Sequence, residues 1–165
     1  MSQEVLFKAG AAVTWSASGG DAVLRLSGLA DGAARRGGQV DLGERFAELY
    51  LMTVEIPMAS APTAGETIEV YLARSPDGET WPAGAYGHEG PYKTGEVSEW
   101  KKQFGVPDAV LPVTADDSDT MQTWSCVVRP MARYIAPVVA NGAGVAVASL
   151  ATGKITLTPL IKELQ

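Results

Sequence analysis

Apolar and polar residues alternate over short stretches along most of this chain, the period of half-buried β-strands. Residues 66–74 (ETIEVYLAR) are the clearest case, with Ile68, Val70 and Leu72 on one face and Thr67, Glu69 and Tyr71 on the other. Residues 49–58 (LYLMTVEIPM) form a β-rich run ended by Pro57. Residues 121–129 (MQTWSCVVR), 133–140 (RYIAPVVA), 144–150 (GVAVASL) and 154–160 (KITLTPL) have the same character. Between these runs stand Ser75-Pro76-Asp77-Gly78, Asn141-Gly142 and Thr152-Gly153, each with turn chemistry. After Gly78, residues 80–86 can return as a short strand, which predicts a hairpin over 66–81. Regularly spaced short strands with turns between them predict a sandwich or a barrel.

Three stretches differ. Residues 19–43 hold two Gly-Gly pairs and read as one strand, a turn and a loop. Residues 84–119 are too long for a plain hairpin loop, and long structured insertions are often functional. Within them, 96–104 (EVSEWKKQF) predict a short helix. Val97, Trp100 and Phe104 share one side of it, acids precede lysines along it, and Gly105 and Pro107 stop it. Residues 1–20 carry Val5, Leu6, Phe7 and Trp15 but are broken by Gly10, Gly19 and Gly20. They read either as an arm that docks on a sheet edge or a neighbouring subunit, or as an ordinary first strand. The remainder, 21–165, reads as one domain.

Composition narrows the function. At 165 residues the chain suits a single domain, and 46% hydrophobic residues argue against disorder. A net charge of −6 gives no broad basic footprint for nucleic acid. No apolar run approaches the roughly 20 residues of a membrane span, and the N-terminus has no secretory pattern. The expected setting is therefore a reducing cytoplasm, at least during folding. One cysteine and one histidine exclude an internal disulfide and leave a Cys/His zinc site short of ligands.

No residue is assigned a catalytic, cofactor-binding or metal-binding role. His88 lies in a Gly/Pro-rich loop, whereas a catalytic triad needs a rigidly oriented histidine. Cys126 is mid-strand and reads as a buried, inert thiol. Asp116, Asp117 and Asp119 lack the spacing of a calcium loop. Glu66 and Glu69 cannot be chosen as paired glycosidase carboxylates by spacing alone. Arg35 and Arg36 could meet an acidic partner but read first as a solvated loop. Trp81, Tyr86, Tyr92, Trp100 and Phe104 gather in or beside the insertion, where they would stack on sugars, anchor an interface, or form a small core under the loop. The small core is the favoured expectation.

The order of motifs carries more information than any one of them. Leu29-Ala30-Asp31-Gly32-Ala33 precedes Val40-Asp41-Leu42-Gly43, the 49–58 strand and Ala61-Pro62-Thr63-Ala64-Gly65. Glu69-Val70-Tyr71-Leu72 then leads into Ser75-Pro76-Asp77-Gly78 and Thr80-Trp81-Pro82. Arg133-Tyr134-Ile135 leads to Val138-Val139-Ala140-Asn141-Gly142 and Gly144-Val145-Ala146. This order resembles a group of small structural proteins of tailed bacteriophages, over residues 29–82 and 130–160. The insertion at 84–119 departs from the shortest members.

The resemblance implies a jelly-roll-like β-sandwich, which agrees with the residue reading of an all-β, antiparallel fold with one short helix in a long insertion loop. It further implies a non-enzymatic virion protein assembled in the host cytoplasm, with no cofactor, and homo-oligomeric. The most specific expectation is a capsid decoration (cement) protein that binds major capsid protein or other virion proteins, without contacting nucleic acid or membrane. A tail or fibre-attachment component and a carbohydrate-binding module using Trp81, Tyr86 and Trp100 are the alternatives.

Overall fold

The computed structural model describes residues 5–44, 46–82, 89–91, 97–114, 121–149 and 153–164. Within them the chain is all-β, a sandwich of two six-stranded sheets with a single short helix. The strands are β1 (Val5–Ala9), β2 (Val13–Ser16), β3 (Ala22–Val23), β4 (Ala34–Arg36), β5 (Val40–Asp41), β6 (Leu49–Pro57), β7 (Thr67–Ser75), β8 (Gly90–Pro91), β9 (Ala109–Pro112), β10 (Met121–Val128), β11 (Tyr134–Gly142) and β12 (Lys154–Leu164). The helix α1 is Val97–Phe104.

One sheet runs β10-β6-β12-β2-β3, and β1 continues the line of β2 along β12. The other runs β8-β4-β11-β7-β9, and β5 lies beside β4 along β11. Every pair is antiparallel except the two-residue contact of β2 with β3.

Alternation decides which face each residue takes. Across the first sheet the register aligns Trp15, Ile155, Val54 and Trp124 on the inner face. The adjacent row, Thr14, Thr156, Thr53 and Ser125, faces outward. From the second sheet Ile68, Val70, Leu72, Ile135 and Val139 point into the same core. Trp15, Met52, Ile56, Ile68, Ile135, Ile155 and Leu157 have no exposed surface. Trp15 also donates its indole N–H to the Gly38 carbonyl at 2.8 Å.

The second sheet has a further layer on its outer face. Ala34, Tyr71, Ala73, Ala136, Val138 and Ala140 form a separate buried patch, with Trp81 and Phe104 packed against it. The Phe104 and Tyr71 rings meet at a centroid distance of 5.6 Å. Helix α1 ends where expected, with Gly105 in the left-handed region (φ +76°) and its N–H on the Lys101 carbonyl.

Several expectations need correction. No return strand follows the 75–78 turn through residue 82, and β7 pairs with β11 and β9 instead. The Asp77 carboxylate accepts the N–H groups of both Glu79 and Thr80, which turns the chain away from a ladder. Residues 83–86 of that call lie outside the described residues. The 19–43 stretch supplies three short strands, β3, β4 and β5, rather than one. The 84–119 segment supplies the edge strands β8 and β9 as well as the helix. In 144–150 the described residues make only a single bridge, Val147 to Met58, rather than a strand.

Candidate functional site

One recess among the described residues lies where the sandwich opens past the start of β6. β6 pairs with β12 only as far as Leu160, but β12 runs on to Leu164 with β1 on its other side. Between this two-stranded extension and the 41–50 segment is a groove of about 550 Å³. Val13, Leu42, Phe46, Tyr50, Pro159 and Ile161 give it an apolar lining. Gly10 is required beside it, because a Cβ there would lie 2.8 Å from Pro159 Cγ.

Charge sits at the groove's rim in paired form. Arg133 donates from Nε and Nη2 to the two carboxylate oxygens of Asp41, both at 2.7 Å. This fork, together with the Gly43 N–H, holds the Asp41 carboxyl down at about 2. Glu48 lies between Arg129 at 3.4 Å and Lys162 at 3.7 Å. On the groove lining, the Tyr50 hydroxyl accepts the Ala47 N–H at 3.3 Å, and burial raises its pKa. The lining is thus mostly apolar, with Asp41, Glu48 and Lys162 at its edge.

A smaller polar recess of about 160 Å³ lies at the outer face of the second sheet, lined by Glu66, Glu69, Lys101 and Asn141 among others. Lys101 Nζ lies 2.7 Å from Glu69 Oε2, and the Tyr71 hydroxyl donates to the same oxygen at 2.6 Å. Desolvation pushes the Glu69 carboxyl up, but Lys101 and Tyr71 outweigh it and the net shift is downward. Desolvation and the Glu69 charge push Tyr71 upward. This cluster ties α1 to β7.

The residues weighed from sequence are scattered. Cys126 is half-buried against the core, and burial followed by the Asp108 charge raises its thiol pKa, which disfavours the thiolate. Arg35 is in strand β4, not in a loop, and bonds Glu89 at 3.0 Å. Glu89 also receives Arg25 at 3.1 Å. Trp81 is half-buried, donating Nε1–H to the Gly78 carbonyl at 3.0 Å, and Phe104 packs on the same patch; of the five aromatics in the small-core expectation, these two have described side chains. His88, Tyr86, Tyr92, Asp116, Asp117 and Asp119 lie outside the described residues, as does the side chain of Trp100. Among the described residues no three His, Cys, Asp or Glu side chains group as metal ligands.

The motif pieces from widely separated parts of the chain do converge. Asn141, 2% exposed, donates its amide to the carbonyls of Leu29 (3.0 Å) and Val145 (2.8 Å) and accepts the Ala143 N–H (3.1 Å). Its main chain bonds Gly32 and Ala33. Asp31 accepts the Gly144 N–H at 3.0 Å, and the Thr63 N–H reaches the Ala143 carbonyl. Gly144 has φ +75°, and a Cβ on it would lie 2.6 Å from Thr63 Oγ1. The 29–33, 61–65 and 141–146 pieces thus form one hydrogen-bonded knot at one end of the sandwich.

Comparison with protein families, with curated proteins and with solved structures finds no match.

Proposed function

We propose that the chain is a structural protein of a tailed-phage virion, most specifically a decoration protein that bridges major capsid subunits without covalent chemistry. The observation that carries the reading is the knot around Asn141. Three of the ordered pieces on which the resemblance rests, 29–33, 61–65 and 141–146, lie in mutual contact there. The strand order adds support. With β1, β3, β5 and β8 set aside, eight strands remain in chain order, β2, β4, β6, β7, β9, β10, β11 and β12, and one sheet takes the first, third, sixth and eighth of them. That distribution is the one a jelly roll of two Greek keys produces.

Such a protein acts by burying surface against its neighbours in one state of the shell and so favouring that state by mass action. The apolar groove and the open outer face of the first sheet offer surface for this. The carbohydrate-binding alternative loses support at Trp81, whose ring is packed on the second sheet and whose N–H is taken by Gly78.

The test is to mix the purified chain with empty heads and complete virions of the phage that encodes it. Co-sedimentation at a fixed ratio, with cryo-EM density on the head exterior, supports the proposal. Density confined to the tail moves the chain to the tail-component alternative. Absence of binding to any virion part, or a gene outside any phage or prophage, overturns it.

A further inference from the structure

The groove past the start of β6 holds one polar group that the fold leaves unused. Its volume of about 550 Å³ falls within the roughly 300–1,000 Å³ of small-molecule sites, which join an apolar lining to a few polar groups that fix orientation. Val13, Leu42, Phe46 and Leu49 are only partly buried on that lining, and Ile161 is 46% exposed. The wall is closed beside Gly10, where a Cβ would also stand 3.0 Å from Ile161 Cδ1.

The rim charges are already matched. Both carboxylate oxygens of Asp41 are taken by Arg133, and Glu48 is shared by Arg129 and Lys162. Tyr50 differs. It is 3% exposed, and its hydroxyl accepts the Ala47 N–H, but among the described residues no acceptor takes the phenolic proton. Burial raises its pKa, so the proton stays on the oxygen and the group can serve as a donor. A buried donor without a partner costs free energy, which an incoming acceptor recovers.

We propose that the groove is a binding site for a neutral, mainly apolar small molecule with one carbonyl oxygen, a ketone or an ester, which accepts the Tyr50 proton. Neutrality follows from the surroundings. A carboxylate beside Tyr50 would lose its water and find no free cation, because Arg133, Arg129 and Lys162 are engaged at the rim. A plain hydrocarbon would fill the groove but leave the Tyr50 proton unpaired. A peptide segment would bring a main-chain N–H with almost every residue, which apolar side chains cannot accept.

The site exists only in the folded chain, since its lining comes from residues 10–13, 41–50 and 159–162. A molecule seated there would touch all three segments and bind the native state alone, so it would raise the melting temperature by mass action. Nothing in this assignment depends on the virion proposal, for which the outer face of the first sheet still offers surface.

The experiment is a titration of the full, isotope-labelled chain with methyl octyl ketone, followed by amide NMR shifts. The wild-type chain should bind it saturably, with the largest shifts at Val13, Leu42, Ala47, Tyr50 and Ile161. Tyr50→Phe keeps the ring and should weaken binding about fivefold, the scale of one hydrogen bond. Ile161→Glu, at a half-exposed position, should abolish binding while the free chain melts as wild type does. Decanoate, of the same length but charged, should bind at least about tenfold more weakly than the ketone, because its charge must be desolvated. No saturable binding, or shifts centred away from the groove, overturns the proposal, as does an Ile161→Glu chain that binds like wild type. A Tyr50→Phe chain of wild-type affinity overturns the role of the phenol, and decanoate bound as tightly as the ketone overturns the neutral class. Groove amides that shift with chain concentration alone would place a second copy there and overturn the small-molecule assignment.

Discussion

Replacing Asn141 by alanine tests how the end of the sandwich is held. The change removes three side-chain hydrogen bonds, to Leu29 O, Val145 O and Ala143 N, while the main-chain bonds to Gly32 and Ala33 can remain. A hydrogen bond contributes about 1 kcal/mol net, and a buried group left without a partner costs about 1–3 kcal/mol. Leu29 is 4% exposed and Ala143 is fully buried, so water reaches these groups poorly. The loss should therefore be about 3–5 kcal/mol, a large share of the roughly 5–15 kcal/mol that holds a typical domain together. Urea unfolding followed by tryptophan fluorescence measures it, with the slope unchanged if only stability has moved. Asn141→Asp keeps the acceptor for Ala143 but turns a carboxylate towards two carbonyls. It should cost at least as much at neutral pH and recover in part when acid protonates it. A loss below about 1 kcal/mol for the alanine variant would refute the claim that this amide ties the three segments together.

Three further outcomes follow from particular contacts. Asp41 is held at about 2 against an ordinary 3.8, so its contribution to stability is complete above 3.8 and disappears as pH falls through about 2. Asp41→Asn should remove that part of the acid-side slope in a pH series of melts, and an unchanged slope would count against the Arg133 fork. Glu69 is also depressed, so its contribution is present above the ordinary carboxylate range and lost on acidification. Lys101→Met should move the Glu69 carbon NMR titration upward, and an unmoved titration would mean that Lys101 does not set it. Gly37→Ala would push a methyl to 2.9 Å from Pro137 Cγ and 3.3 Å from Trp15 Cδ1. It should cost about 1–3 kcal/mol by overpacking, and a melt equal to wild type would show that the core yields there.

The long strands were legible because their burial follows their alternation. In β6 every second residue from Tyr50 to Ile56 is buried, matching the pattern written in LYLMTVEIP. Helix α1 was legible from its apolar spacing and its glycine stop. The short strands were not. β3, β5 and β8 have two residues each, too few to show a period, and β4 finds its partner β11 about a hundred residues later. β9 was hidden in the supposed insertion because four residues between Pro107 and Pro112 look like loop. The expected hairpin failed for a local reason, since Asp77 captures the N–H groups that a returning strand would have offered.

The groove was illegible for a different reason, which bears on where function can be sought in such a chain. Its lining comes from residues 10–13, 41–50 and 159–162, and each piece alone is unremarkable. They meet because β12 outruns β6 by four residues and carries β1 with it. Periodicity identifies a strand but not the length over which its neighbour accompanies it. That mismatch is fixed by the register of non-local pairs, which turn geometry and packing decide together. The knot at Asn141 has the opposite property. It too is assembled from distant segments, yet its backbone demands fall on particular residue types. Gly144 sits at positive φ against Thr63, and Asp31 and Asn141 bond the main chain. Those demands leave marks in the sequence that an apolar groove, lined by interchangeable side chains, does not.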